Sequence, residues 1–248
     1  MIHRSALVVL CLSLFLSGGC GRPRPATVPL RTIALPAAGG GDARCLVVLL
    51  PGRRDHPEDF VRHEFAGIAA RAGIRADFVV VDAHLGYYYR KTIVDRLRED
   101  VIAPARKRYD RIWLTGISLG GTGSLLYTIE SPEDVDGIVL LAPFLGEEEV
   151  IDEIAAAGGP RGWKAPDPLP PDDFQRRMWS WLERYENGSE GQIPIYLGFG
   201  TQDDFARANG LLGDVLPPER VFTVEGGHTW KAWRALWEKA VATGEICK

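Results

Sequence analysis

Short apolar runs alternate along this chain with amphipathic stretches, and that alternation restricts the available folds more than any other feature. Residues 45–50, 78–81, 112–115, 138–141, 193–197 and 221–224 are apolar on both sides of a two-residue period, or nearly so, as strands buried on both faces are. Helical periodicity fills most of the intervals: 89–107 repeats Ile93, Leu97 and Val101, and 230–241 puts Trp230, Trp233, Trp237 and Ala240 on one face. Parallel strands need long crossovers, so the order predicts an α/β fold with a mostly parallel central sheet and helices on both faces. With 46% hydrophobic and 25% charged residues, the 248-residue chain has the composition of one ordinary globular domain, placed at 33–248. The interval from 144 to 191 exceeds a simple crossover and carries Glu147-Glu148-Glu149, Gly158-Gly159-Pro160 and a proline cluster at 166–171. Helical potential returns over 174–185 through Met178, Trp181 and Leu182, so this interval is read as a small cap insertion.

The first residues do not belong to that domain. Met1-Ile2-His3-Arg4 followed by an apolar stretch at 6–16, too short to span a bilayer, reads as an export signal over residues 1–19. Leu16-Ser17-Gly18-Gly19-Cys20 resembles the bacterial lipobox, which implies lipid attachment at Cys20 and a membrane-anchored lipoprotein; ordinary signal-peptidase cleavage is the alternative. Gly21, not aspartate, follows the cysteine, and in a diderm host the resemblance implies the periplasmic side of the outer membrane. The proline-rich residues beyond it make 20–32 a lipid-attachment site and tether. Of the four cysteines, Cys45 and Cys247 would remain in an oxidising compartment, where they either pair or leave Cys45 as a small buried hydrophobe. A formal net charge of −4 argues against a broad nucleic-acid footprint, so no nucleic-acid partner is expected.

The chemistry concentrates at Gly116-Ile117-Ser118-Leu119-Gly120-Gly121, a G-x-S-x-G directly after the strand at 112–115 and before a helix expected over 121–130. A strand that turns sharply into a helix there holds the serine in a strained conformation with its Oγ exposed. With this context the chain resembles the α/β-hydrolase superfamily, and specifically compact bacterial serine carboxylesterases, from Cys45 to the final helix but not across the cap.

That resemblance implies the chain order nucleophile, acid, histidine. Among the five histidines only His228 follows Ser118, in Glu225-Gly226-Gly227-His228-Thr229-Trp230, after the last strand and before the last helix. The family's Gly-x-x-Asp arrangement aligns Gly200-Thr201-Gln202-Asp203 and makes Asp203 the acid, with adjacent Asp204 the alternative. Oxyanion donors are expected at the backbone N–H of Leu119, at a helix N-terminus, and of Arg53 in Pro51-Gly52-Arg53-Arg54, with Gly52 next in line. The Arg53 and Arg54 side chains are either solvated or recognise an anionic group. His84 and Tyr87 lie near the carboxyl edge of the sheet, where they either contact substrate or pack the cap. No cofactor is expected, and no metal, since neither H-E-x-x-H nor paired C-x-x-C occurs.

The reading is therefore a serine hydrolase cleaving an ester or related acyl bond of a small-molecule substrate through an acyl-enzyme, on the cell envelope. An acyltransferase or serine peptidase would use the same triad. A non-catalytic envelope binding protein is the rival from another class.

Overall fold

A computed structural model describes residues 24–40, 42–188 and 192–248; the export signal and Cys20 lie outside them. The apolar runs become β2 (Cys45–Leu50), β3 (Asp77–Val81), β4 (Arg111–Ile117), β5 (Gly137–Leu141), β6 (Ile195–Gly200) and β7 (Val221–Val224), preceded by β1 (Thr32–Leu35). They form one seven-stranded sheet in the order β1-β3-β2-β4-β5-β6-β7, parallel except for β1, which runs antiparallel to β3. The expected start of β6 at 193 moves to Ile195 because Pro194 has no N–H for the ladder; its carbonyl accepts from Ile138 N–H at 2.9 Å.

Alternate residues of each strand enter two cores. Leu46, Val48 and Leu50 meet the helices of one face: α3 (Leu85–Tyr89), α4 (Ile93–Leu97), α5 (Ala103–Ala105), α6 (Leu119–Glu130), α7 (Glu148–Ala156), α8 (Phe174–Leu182) and α9 (Ala206–Gly213). Cys45, Val47 and Leu49 meet α1 (Pro57–Arg62), α2 (Phe65–Arg71) and α10 (Trp230–Ala242) on the other. None of these helices, among the described residues, is long and apolar enough to cross a membrane.

Three expectations change. The single helix over 89–107 is broken: Lys91 adopts φ 55°, α4 starts after it, and Arg98–Ile102 forms a π-helical turn before α5. Pro104 cannot donate to the carbonyl four residues back, and Ala103 N–H instead reaches Arg98 O, five residues back. The insertion between β5 and β6 serves as their crossover, since Val150, Ile151, Ile154, Met178, Trp179 and Leu182 are all buried in the first core.

The third change concerns the expected tether. Its described part, 24–31, is docked on the domain: Arg24 pairs with Asp82 at 3.1 Å, Leu30 is buried, and Leu30 N–H donates to Asp100 Oδ2 at 2.7 Å. Polar partners and one apolar anchor outweigh the extended bias of the prolines, so the packed chain starts before residue 33. Cys45 and Cys247 pair, closing the C-terminus onto the start of β2.

Candidate active site

Ser118 occupies the turn from β4 into α6 with φ 52° and ψ −116°, a conformation that costs a non-glycine residue energy and persists only when its surroundings hold it. Its N–H donates to Leu141 O at 3.0 Å, and its carbonyl accepts from Gly121 at 2.9 Å and Phe144 at 3.1 Å. The turn also demands a bare backbone, because a Cβ at Gly120 would overlap the Leu50 carbonyl. The expected helix start at 121 thus moves to Leu119, and the Leu119 N–H, first in α6, has no intrahelical partner.

His228 lies between β7 and α10, whose N-terminus Thr229 caps by accepting from Ala232 N–H. Its Nδ1 is 2.9 and 3.0 Å from the two carboxylate oxygens of Asp203, whose side chain is 0% exposed, and Phe205 N–H donates to the same carboxylate at 2.9 Å. Asp204 points to solvent, so Asp203 is the aspartate brought to the histidine. The imidazole is further bounded by the rings of Trp233 at 4.8 Å and Phe205 at 5.0 Å, both edge-on. Ser118 Oγ and His228 share no hydrogen bond among the described residues, and such bonds often tighten only when substrate is bound.

The turn after β2 forms a second wall. A Cβ at Gly52 would stand 3.5 Å from Ser118 Cβ, so Gly52 lies beside the nucleophile. The Arg53 and Arg54 side chains are exposed. A third wall is aromatic: Phe144, bonded to the Ser118 carbonyl, meets Phe205 at 5.6 Å, and Phe205 meets His228.

Of the two roles open to His84 and Tyr87, packing is the one the structure shows. His84 is buried, its Nδ1 accepts from Gly86 N–H at 3.1 Å, and burial, reinforced by Arg24, depresses its pKa. Tyr87 is buried with its hydroxyl on Thr27 N–H and O, both at 3.1 Å. Tyr87 thereby holds the 24–31 segment, which sequence periodicity could not place. The residue of that group that reaches the serine turn is Tyr88, whose hydroxyl donates to Leu119 O at 3.0 Å and whose pKa burial raises. Phe144, Phe205 and a link between Asp55 and Trp230 at 2.9 Å were missed. Only Trp230, two residues beyond His228, carried a usable signal. The described residues contain no group of His, Cys, Asp and Glu suited to a metal ion.

A family model described as putative esterase matches residues 80–243, more than half of the chain. Comparison with curated proteins yields no match. Among solved structures, Est1E from Butyrivibrio proteoclasticus superposes with a TM-score of 0.57 at 18% identity, covering 88% of this chain and 93% of its own. The S-formylglutathione hydrolase FrmB from Staphylococcus aureus gives 0.57 at 14%, covering 85% and 82%. A monoacylglycerol lipase from Paleococcus ferrophilus gives 0.54 at 17%, covering 86% and 98%. At such identities these structures establish the shared fold. The fold, the strained serine turn and the matched family model together show that this chain belongs to the putative esterase family, as a serine carboxylic-ester hydrolase of the α/β-hydrolase fold.

Proposed function

We propose that Ser118 attacks the carbonyl of a small-molecule ester and forms an acyl-enzyme that water hydrolyses. His228 takes the serine proton at Nε2 and passes it to the leaving alcohol; in the second half it takes a proton from water and returns it to Ser118. Asp203 keeps the Nδ1–H tautomer and stabilises the imidazolium. The observation that carries this reading is the buried Asp203 carboxylate spanning His228 Nδ1 at 2.9 and 3.0 Å, since such a group has no structural need for a histidine at the open end of a sheet. The N–H groups of Leu119 and Arg53 receive the oxyanion, where each donor is worth about 3–4 kcal/mol of barrier. Phe144 and Phe205 supply an apolar side to the cleft, which suits the carbon skeleton of an acyl or alcohol group.

The enzyme works on the cell envelope, held by lipid on Cys20, on the periplasmic side of the outer membrane in a diderm host. The lipobox-like Leu16–Cys20 segment and the disulfide, which suits an oxidising compartment, support this placement. Replacing Cys20 with alanine is expected to release the protein from the membrane fraction; retention there would sink the anchor.

A fluorophosphonate probe tests the chemistry without choosing a substrate. The expected adduct maps to Ser118 and disappears in His228→Ala. Absence of labelling in folded protein would favour a binding role for the cleft, and transfer of the acyl group to an added alcohol or amine in preference to water would make it an acyltransferase.

A further inference from the structure

We propose that Asp55 is a positioning residue that clamps the turn after β2, beside Ser118, to the histidine loop. The proposal rests on Ser118 and His228 acting as nucleophile and base.

Asp55 touches both loops. Trp230 Nε1 donates to its Oδ1 at 2.9 Å across 175 positions of sequence, and Trp230 is two residues from His228. On its other side Asp55 N–H donates to Gly52 O at 3.2 Å. The fit is close, because a Cβ at Gly52 would overlap Asp55 Oδ2. Since that same Cβ position is 3.5 Å from Ser118 Cβ, any rotation of the Gly52–Arg53 peptide is felt at the nucleophile.

Trp230 is a rigid anchor for the clamp. Its ring stacks on His63 at 4.5 Å and meets Phe60, Phe65 and Trp233 edge-on at 5.3, 5.9 and 5.3 Å, while Trp233 itself borders His228. Burial raises the pKa of the Asp55 carboxyl and the Trp230 N–H lowers it, so that donor offsets part of the cost of holding this carboxylate away from water.

Asp55→Asn keeps the shape but loses the charge that strengthens the Trp230 hydrogen bond, and its NH2 can oppose the indole N–H. We expect kcat on a soluble chromogenic ester to fall about 10- to 100-fold with KM changed by no more than about twofold, because the oxyanion is held more tightly in the transition state than in the ground state. Trp230→Phe keeps an aromatic ring in place while losing the N–H and part of the indole packing, and should lower kcat by about 3- to 10-fold. If the two act as one clamp, the double variant is no slower than Asp55→Asn alone. Rates are taken per active serine, titrated with the fluorophosphonate, so misfolded protein does not enter. Wild-type kcat in Asp55→Asn, or multiplicative losses in the double variant, would overturn the clamp. Should Asp55→Asn not fold, Trp230→Phe decides by the same kcat-against-KM split, an unchanged kcat overturning the proposal. Wild-type protein that is neither labelled nor active would instead overturn the serine-hydrolase reading.

Discussion

A hydroxyl becomes a useful nucleophile only when a base accepts its proton, so small differences in how neighbouring side chains are held should produce large differences in turnover. Asp203→Asn leaves the histidine without its acceptor carboxylate and should cost about 10²- to 10⁴-fold in kcat, whereas Asp204→Asn, altering an exposed group, should stay near wild type. Steady-state ester hydrolysis on both variants separates them, and equal losses would reverse the assignment. His228→Ala should fall by several orders of magnitude with its thermal midpoint little changed. At this scale the serine was legible because G-x-S-x-G meets its steric requirement within six residues, and the histidine because only one follows the serine. Asp203 and Asp204, being adjacent, were separated in the structure by which one is buried. The packing of Tyr87 could not be read from sequence because Thr27, which bonds its hydroxyl, lies sixty positions away in a segment without periodicity.

At the scale of elements, one polar cross-link joins the two helices of the β5–β6 crossover. Glu153 of α7 accepts from Arg176 Nε of α8 at 2.9 Å and from Trp163 Nε1 at 2.8 Å, and the hydrogen bond with Arg176 holds its carboxyl below the usual range. A carboxylate with a depressed folded pKa contributes stability above its unfolded pKa and loses it as pH falls through the folded value. Glu153→Gln should therefore lose about 0.5–1 kcal/mol at neutral pH, the pair being partly solvent-screened, and converge on wild type in acid; urea unfolding across pH reads this directly. A parallel curve offset at every pH would rule out the charge. The docked N-terminal segment is an element in its own right. A chain beginning at Thr32 would lose the Leu30 anchor and the partners of Asp82 and Tyr87, and should be destabilised by about 2–4 kcal/mol in the same assay.

For the whole molecule, the Cys45–Cys247 bond ties the first parallel strand to the chain end across 202 positions, after α10 has crossed the sheet face. Closing so long a loop restricts the unfolded chain, and reduction or Cys247→Ser should remove about 2–5 kcal/mol of stability. Equal urea midpoints with and without reductant would show the bond to be energetically idle. The order of strands and helices, the serine turn and the histidine after the last strand could be read directly from residues near one another in sequence, because periodicity and turn sterics are local physics. Tertiary structure alone decided that Cys45 and Cys247 pair, that Asp203 rather than Asp204 meets His228, that 24–31 docks, and that Asp55 meets Trp230. Each of those is a contact between distant positions, and its energy exists only after the sheet has brought both partners to the same edge.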